Sequence, residues 1–214
     1  NTGIGRGTLQ YLTGGARNTA VGYNALKNQT SASDNTAIGE EALEANTTGA
    51  WNVAVGSRAL EANTVQSYQV AIGRQALQDY TGNYGTSTAV GGLAGSNLLR
   101  GYNTAIGNSA LSGAAGSTAN RNVGVGDFAG MSLTSGDRNV FIGSQGTGAQ
   151  LTTGTRNVMV GYQAGYWQTT SNYNVIIGNE AARVTSGGSN VTNLVDCVFI
   201  GNETHPSATS VSNE

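Results

Sequence analysis

Glu44 and Glu61 lie seventeen residues apart, and so do Arg121 and Arg138, with Arg156 eighteen further on. Two carboxylates about 5–5.5 Å apart can hydrolyse a glycoside with retention, one as nucleophile and one as acid. Three guanidiniums in file can hold an anion such as an acidic sugar. Trp51, Tyr68, Tyr102 and Tyr173 occupy the same place as those arginines, one residue before the first position of a repeat (Asn, or Gln69 after Tyr68), and Tyr166-Trp167 make a second aromatic pair. Flat aromatic faces of this kind offer platforms for sugar rings.

The hydrolytic reading meets a simpler one. Glu41 and Arg58 stand at the same interval beside the two acids, which makes a solvated, partly paired charge ladder of little energetic weight. No insertion that could wall a pocket surrounds them. His205 is the only histidine and precedes Pro206 in a tail, so one chain offers neither a His-containing triad nor a His-rich metal site. Three copies around an axis would be needed to bind a metal with it. Lys27, the only lysine, belongs to no G-K-[ST] phosphate loop. Cys197 is the only cysteine, which excludes an intrachain disulfide, and it reads as buried and inert. The chain therefore reads as no enzyme, with no catalytic residue, no metal and no cofactor.

A repeat positions all of these residues. Asn1-Thr2-Gly3-Ile4-Gly5 returns as Asn18-Thr19-Ala20-Val21-Gly22 and Asn35-Thr36-Ala37-Ile38-Gly39, then from Asn52, Gln69, Ser87, Asn103, Asn122, Asn139, Asn157, Asn174 and Cys197. The twelve copies are spaced by 17, 17, 17, 17, 18, 16, 19, 17, 18, 17 and 23 residues. The second position is always Thr or Val and the fourth always Val or Ile. β-branched residues two apart, with another class between them, are a strand signature. The fifth is always Gly, as at Gly22, Gly39, Gly56, Gly107, Gly161 and Gly178, which implies a positive φ or a close backbone approach. The first is Asn in nine copies, a turn residue able to hydrogen-bond its own backbone. Ala three residues after the Gly, often followed by Leu (Ala25-Leu26, Ala42-Leu43, Ala59-Leu60), predicts a second short strand.

Helical solenoids need about 33 residues or more per repeat. A 17-residue repeat with period two predicts an all-β, parallel β-solenoid of twelve coils. Coils stacked at about 4.8 Å make a rod of roughly 50 Å. One such coil buries little, and many copies place only Ala at the third position. Small residues on a strand face let identical chains approach, so burial is expected to be completed between chains, in a homotrimer.

The chain reads as one repeat rod over residues 1–214, with a small-residue zone (1–121) and a zone (122–214) of bulkier third positions and longer loops, notably Val184 to Asp196. Phe141, Met159, Ile176 and Phe199 appear at the third position while Gly130, Thr147 and Gly165 replace Leu at the ninth, a volume-conserving exchange. The column before each Asn runs Arg17, Asp34, Trp51, Tyr68, Thr86, Tyr102, Arg121, Arg138, Arg156, Tyr173, Asp196. Arg121, Arg138 and Arg156 would then be neighbours repelling by roughly 0.8 kcal/mol per pair in water. Asp127, Asp137, carbonyls of a neighbouring chain or an anionic ligand are the candidates to offset this. The aromatic members read either as packed against loops or as sugar platforms.

Composition excludes other classes. The 214 residues carry a net charge of −2 and only 10% charged residues, so the chain is no electrostatically expanded tail. Basic residues are few and dispersed, against nucleic acid as a partner. No apolar run of about 18 residues exists to insert in a membrane as a helix. With one Pro and no Gly at every third position, the 33 glycines are not collagen. Asn1 follows neither Met nor signal peptide, which reads as a fragment or processed piece.

The pattern Asn-Thr-Ala-Val/Ile-Gly-x-x-Ala-Leu resembles the head repeat of trimeric autotransporter adhesins, whose heads are trimeric left-handed parallel β-rolls. The family's repeat is usually shorter. In its length the present one is more similar to bacteriophage tail-fibre proteins, those of cyanophages and other marine phages among them. The run from Gly201 to Glu214 is similar to the segment before an intramolecular chaperone of the endosialidase type, which trimerises fibres and is cut off. The resemblance spans nearly the whole chain. It implies a left-handed trimeric roll in a virion tail fibre, extracellular, mediating host attachment. The implied partners are other tail proteins and a host cell-surface glycan or surface protein. The head of a bacterial adhesin, at the cell surface, is the alternative. Trp51, Tyr68, Tyr102, Arg121, Arg138, Arg156, Tyr166, Trp167 and Tyr173 are the candidate receptor-binding residues. A monomeric solenoid enzyme or an ice binder is a third reading; Thr2, Thr19 and Thr36 begin a Thr array, but Val53 and Val70 interrupt it.

Overall fold

The β-branched pair of each repeat forms a three-residue strand, and the strands stack in register. A computed structural model describes residues 1–82, 85–183 and 193–204, and the backbone of 210–212. The strands are β1 (Thr2–Ile4), β2 (Thr19–Val21), β3 (Thr36–Ile38), β4 (Val53–Val55), β5 (Val70–Ile72), β6 (Thr88–Val90), β7 (Thr104–Ile106), β8 (Val123–Val125), β9 (Val140–Ile142), β10 (Val158–Val160) and β11 (Val175–Ile177), followed by β12 (Asn193–Val195) and β13 (Val198–Ile200). All but β12 pair in chain order into one twelve-stranded sheet. The pairing is parallel and keeps like on like, with Ala20 opposite Ala37 and Met159 opposite Ile176. β12 pairs instead with β14 (Ser210–Ser212). The described residues hold no helix, and the fold is a parallel β-solenoid with about 17 residues per turn.

The third residue of each strand triplet's repeat, Ala20 through Ala105 and then Phe141, Met159 and Ile176, points into the chain's own interior and is fully buried. The β-branched neighbours on either side face outward. Small third positions therefore pack inside one coil, and they do not form a surface on which copies meet.

The expected second strand does not form. Ala42-Leu43 lies in a chain of turns, with positive φ at Glu41 (58°) and Leu43 (53°) and not at the Ala between them. Alternate amides consequently point along and around the rod. Glu41 N–H donates to Tyr23 C=O (2.8 Å) in one neighbouring coil and Leu43 N–H to Ala59 C=O (3.0 Å) in the other. Ala42 and Glu44 N–H close turns onto Gly39 and Glu41 within the coil. Half the amides thus serve the stack without extended backbone.

The repeated Asn also differs from its expected local role. Its side-chain oxygen bonds the next coil, and only at Asn103 does the amide also bond the backbone just before it, at Arg100 C=O (2.8 Å) and Gly101 C=O (3.3 Å). Asn35 Oδ1 accepts the Asn52 N–H (2.9 Å), Asn52 Oδ1 that of Gln69 (2.9 Å), and Asn122 Oδ1 that of Asn139 (2.9 Å). Gln69 and Ser87 continue the ladder with their own oxygens. Cys197 takes the last place in it: its N–H donates to Asn174 Oδ1 (3.0 Å), while its thiol, pushed up in pKa by burial, donates to Val195 C=O. A second buried amide file runs from Gln29 through Asn46 to Asn63 and gives way to Tyr80 and Leu98.

The core exchange between the two zones is a contact between named residues. A Cβ on Gly130 would stand 2.6 Å from the Phe141 ring, one on Gly148 2.4 Å from it, and one on Gly165 2.5 Å from Met159 Sδ. Thr147 does not hold the ninth place as its number suggests. Gly130 N–H bonds Thr147 C=O and Gly148 N–H bonds Ala164 C=O, the pattern of a Leu amide on the Ala of the next coil. A one-residue insertion therefore puts Thr147 where Ala belongs and Gly148 where Leu belongs.

Candidate functional site

The residues before the asparagines form one file along the rod. Arg17, Asp34, Trp51, Tyr68, Tyr102, Arg121, Arg138, Arg156, Tyr173 and Asp196 all have φ between 54° and 63°. The left-handed backbone turns each side chain out just before its strand begins. Thr86 departs from this. A β-branched residue resists positive φ, and this 18-residue coil, longer than the 17- and 16-residue coils on either side, moves the positive φ to Gly85 (89°).

The file is a sequence of paired neighbours. Arg17 and Asp34 form a bidentate ion pair (2.5 and 2.8 Å), which holds the Asp34 carboxyl below its usual pKa range. Trp51 and Tyr68 stack with ring centres 4.9 Å apart at 7°, about one strand spacing. Arg121 lies over Tyr102 (5.3 Å) and Arg156 over Tyr173 (5.1 Å). Arg156 also bonds the Tyr173 hydroxyl. The two outer arginines of the triple therefore turn away from Arg138, one toward each end of the rod. That relieves the repulsion expected from their spacing. Asp127 and Asp137 take no part: Asp127 accepts from Asn108 Nδ2 and Asp137 from the Asn120 N–H.

The aromatic members rest on one another and on arginines, not under loops, and Trp51, Tyr68, Tyr102 and Tyr173 stay about half exposed. Their free faces differ. Tyr102 has Arg121 on one side and Gly85 against the other, where a Cβ would stand 2.6 Å from the ring. Tyr68 is covered by Trp51 on one face only; beyond its other face Thr86 leaves a notch of about 360 Å³, closed on the far side by Tyr102. Tyr166 and Trp167 meet edge to face at 4.8 Å, with Tyr166 half-buried beside Phe128 and Met131. They are apart from the file.

Next along the rod, a cavity of about 490 Å³ is lined by Gly82, Arg100, Tyr102, Asn120 and Arg121. Arg100 was no candidate in the sequence, because it stands two residues before Tyr102 and outside every repeated column. The acids Glu41, Glu44 and Glu61 do come together, with carboxylate oxygens within 4.8 Å of one another. Each is engaged: Glu41 by Arg58 (2.8 Å), Glu44 by Lys27 (3.3 Å), Glu61 by Gln78 (2.7 Å). His205 and most of the Val184–Asp196 loop lie outside the described residues.

Fold and file together define a parallel β-solenoid repeat protein. Compared with known proteins, the chain matches no protein-family model, no curated protein and no solved structure.

Proposed function

We propose that this chain is a rod segment of a homotrimeric phage tail fibre, a left-handed β-roll that mediates attachment to the host surface. The observation that carries the trimer is the outer face of the twelve-stranded sheet. Ile38, Ile72, Ile106, Ile142 and Ile177 line up there at 37–42% exposure, beside a parallel file of Thr and Val. Eleven steps of about 4.8 Å and a strand width of about 10 Å make roughly 500 Å² of it. An exposed apolar patch of this order is often functional, and a straight file of isoleucines running the length of the rod suits contact between parallel copies. Three copies meeting on this face would bury the isoleucine file, the apolar surface that the chain's own core leaves outside. The repeat's similarity to phage fibres and adhesin heads supports the attachment role. Three identical faces add weak contacts to a host glycan or surface protein into avidity, in an extracellular virion setting beside other tail proteins.

Size exclusion with light scattering tests the assembly. A mass of about 65 kDa is expected, three times 21.7 kDa. Ile106→Lys with Ile142→Lys should convert it to monomer. A wild-type monomer removes the trimer, and absence of binding to any of a panel of candidate host cells removes the attachment role.

A further inference from the structure

The notch and the cavity meet at Tyr102, which lines both. The notch offers a bare aromatic face, that of Tyr68, above a floor of Gly85 and Thr86. The cavity offers two guanidiniums, Arg100 and Arg121, both on exposed residues. Among the described residues, Arg17, Arg58 and Arg183 are each paired with a carboxylate within 4.0 Å, while Arg100 and Arg121, like Arg6, Arg74, Arg138 and Arg156, are not; of these six, Arg100 and Arg121 are the two that line the cavity. Asp137, one coil on from Asn120, accepts the Asn120 N–H (3.2 Å). Asn120 lines the same cavity and adds a polar side chain.

We infer that this groove is a binding site for a carboxylated oligosaccharide laid along the rod. One sugar ring stacks on the open face of Tyr68 in the notch. The chain passes Tyr102, and the carboxylate of a following sugar is bound by Arg100 and Arg121. Notch and cavity lie on either side of Tyr102, and from Tyr68 to Arg121 they span three coil steps or about 14 Å, the length of two to three sugars passing over the Tyr102 edge. A ring plus a displaced carboxylate fits this layout better than a bare anion. A bare anion would use the arginines and leave the notch empty. A nucleic acid would need basic residues along its whole track, and the groove has two. Stacking uses the apolar face of the sugar, and the planar guanidinium pairs with the carboxylate through two parallel N–H bonds.

This inference deepens the attachment role and takes its biological sense from it, but its geometry is that of one chain. Isothermal titration of the full chain with short oligogalacturonates and sialyllactose tests it, with neutral oligosaccharides of the same length and sodium phosphate as comparisons. Saturable binding of a carboxylated probe is expected, weakened ten-fold or more by Arg100→Gln, by Arg121→Gln and by Tyr68→Ala, and unchanged by Arg74→Gln. Thermal melts of each variant separate loss of the site from loss of the fold. Equal binding of neutral sugars overturns the role of the arginines. Binding of phosphate as tightly as the sugars, indifferent to Tyr68→Ala, overturns the saccharide. No binding of any carboxylated probe overturns the site. A mass near that of a trimer with no sugar binding would sink this site and leave the fibre standing. Sugar binding by a monomer would do the reverse.

Discussion

Asn139 Oδ1 accepts the backbone N–H of Asn157 at 3.0 Å, across the step from one coil to the next. The same side chain donates from Nδ2 to Gly154 C=O (2.8 Å) and to Asn122 Oδ1 (3.1 Å). A fully buried amide thus ties three coils. Asn139→Ala should leave the Asn157 N–H and the Gly154 carbonyl buried without these partners. At about 1–3 kcal/mol for each stranded group the loss is roughly 2–6 kcal/mol. Asn139→Asp adds a sign. Burial among acceptors raises the carboxyl's folded pKa above its unfolded value, so the folded state holds the proton longer. Its stability is therefore best at low pH and falls as pH rises past the unfolded value of about 3.9. Urea melts at pH 4 and pH 7 should show the Asp variant closer to wild type at pH 4; equal deficits would contradict a buried, acceptor-lined site.

Gly107 has φ +127°, and a Cβ there would lie 2.5 Å from the Gly126 carbonyl of the next coil. Gly107→Val should cost about 3 kcal/mol or more, from strain and displaced backbone together. Gly116 separates the two causes. It also has positive φ (+78°), yet a Cβ would meet nothing within 4 Å. Gly116→Ala should cost only about 1–2 kcal/mol. Comparable melting temperatures for the two variants would remove the close approach as the reason for glycine.

Phe141 fills room that Gly130 and Gly148 leave. Phe141→Ala should lose about 3–5 kcal/mol. Gly130→Leu in the wild-type background should also be harmful, because its side chain meets the Phe141 ring. Combined with Phe141→Ala it should recover part of the loss, since leucines sit at the same place opposite alanines in the earlier coils. A double-mutant cycle on thermal stability reads the coupling; additive losses would mean the exchange of bulk is not local.

Tyr80 is buried, and its hydroxyl donates to Gly85 C=O at 2.7 Å. Burial pushes its phenol up to about 12. The unfolded chain gives up this proton near pH 10 and the folded chain does not, so the unfolded state binds fewer protons in between. Stability contributed by Tyr80 is complete below pH 10 and declines as pH rises from 10 to 12. Tyr80→Phe should flatten that decline in melts taken across the interval. Gln69 Nε2 still serves the Gly85 carbonyl in the variant.

Much of this was legible in the repeat. The β-branched residues at Thr19 and Val21 fixed period and strand, and the constant Gly fixed where a side chain could not stand. The path after the Gly was not legible, because Ala42-Leu43 is apolar like a strand while its backbone alternates in the sign of φ. The role of Asn18 or Asn139 was hidden for a different reason. A side chain that bonds seventeen or eighteen residues on looks, in one dimension, like one that caps its own turn. Thr147 was misplaced because a one-residue insertion is invisible until the amide of Gly148 is seen on Ala164. The candidate file was legible as a column. Its notch was not, since it depends on Thr86 refusing the conformation of its neighbours, and Arg100 belongs to no column.

The stacking of like on like also governs how such a rod can change its length. Each coil touches only the one below and the one above, through bonds of one recurring kind. Removing or duplicating one repeat between two matching points leaves junctions that the molecule already contains, as where Asn18 meets Asn35 or Asn35 meets Asn52. Reach is then a copy number. It can be gained or trimmed in steps of about 4.8 Å by adding or losing whole repeats, with no new core to invent.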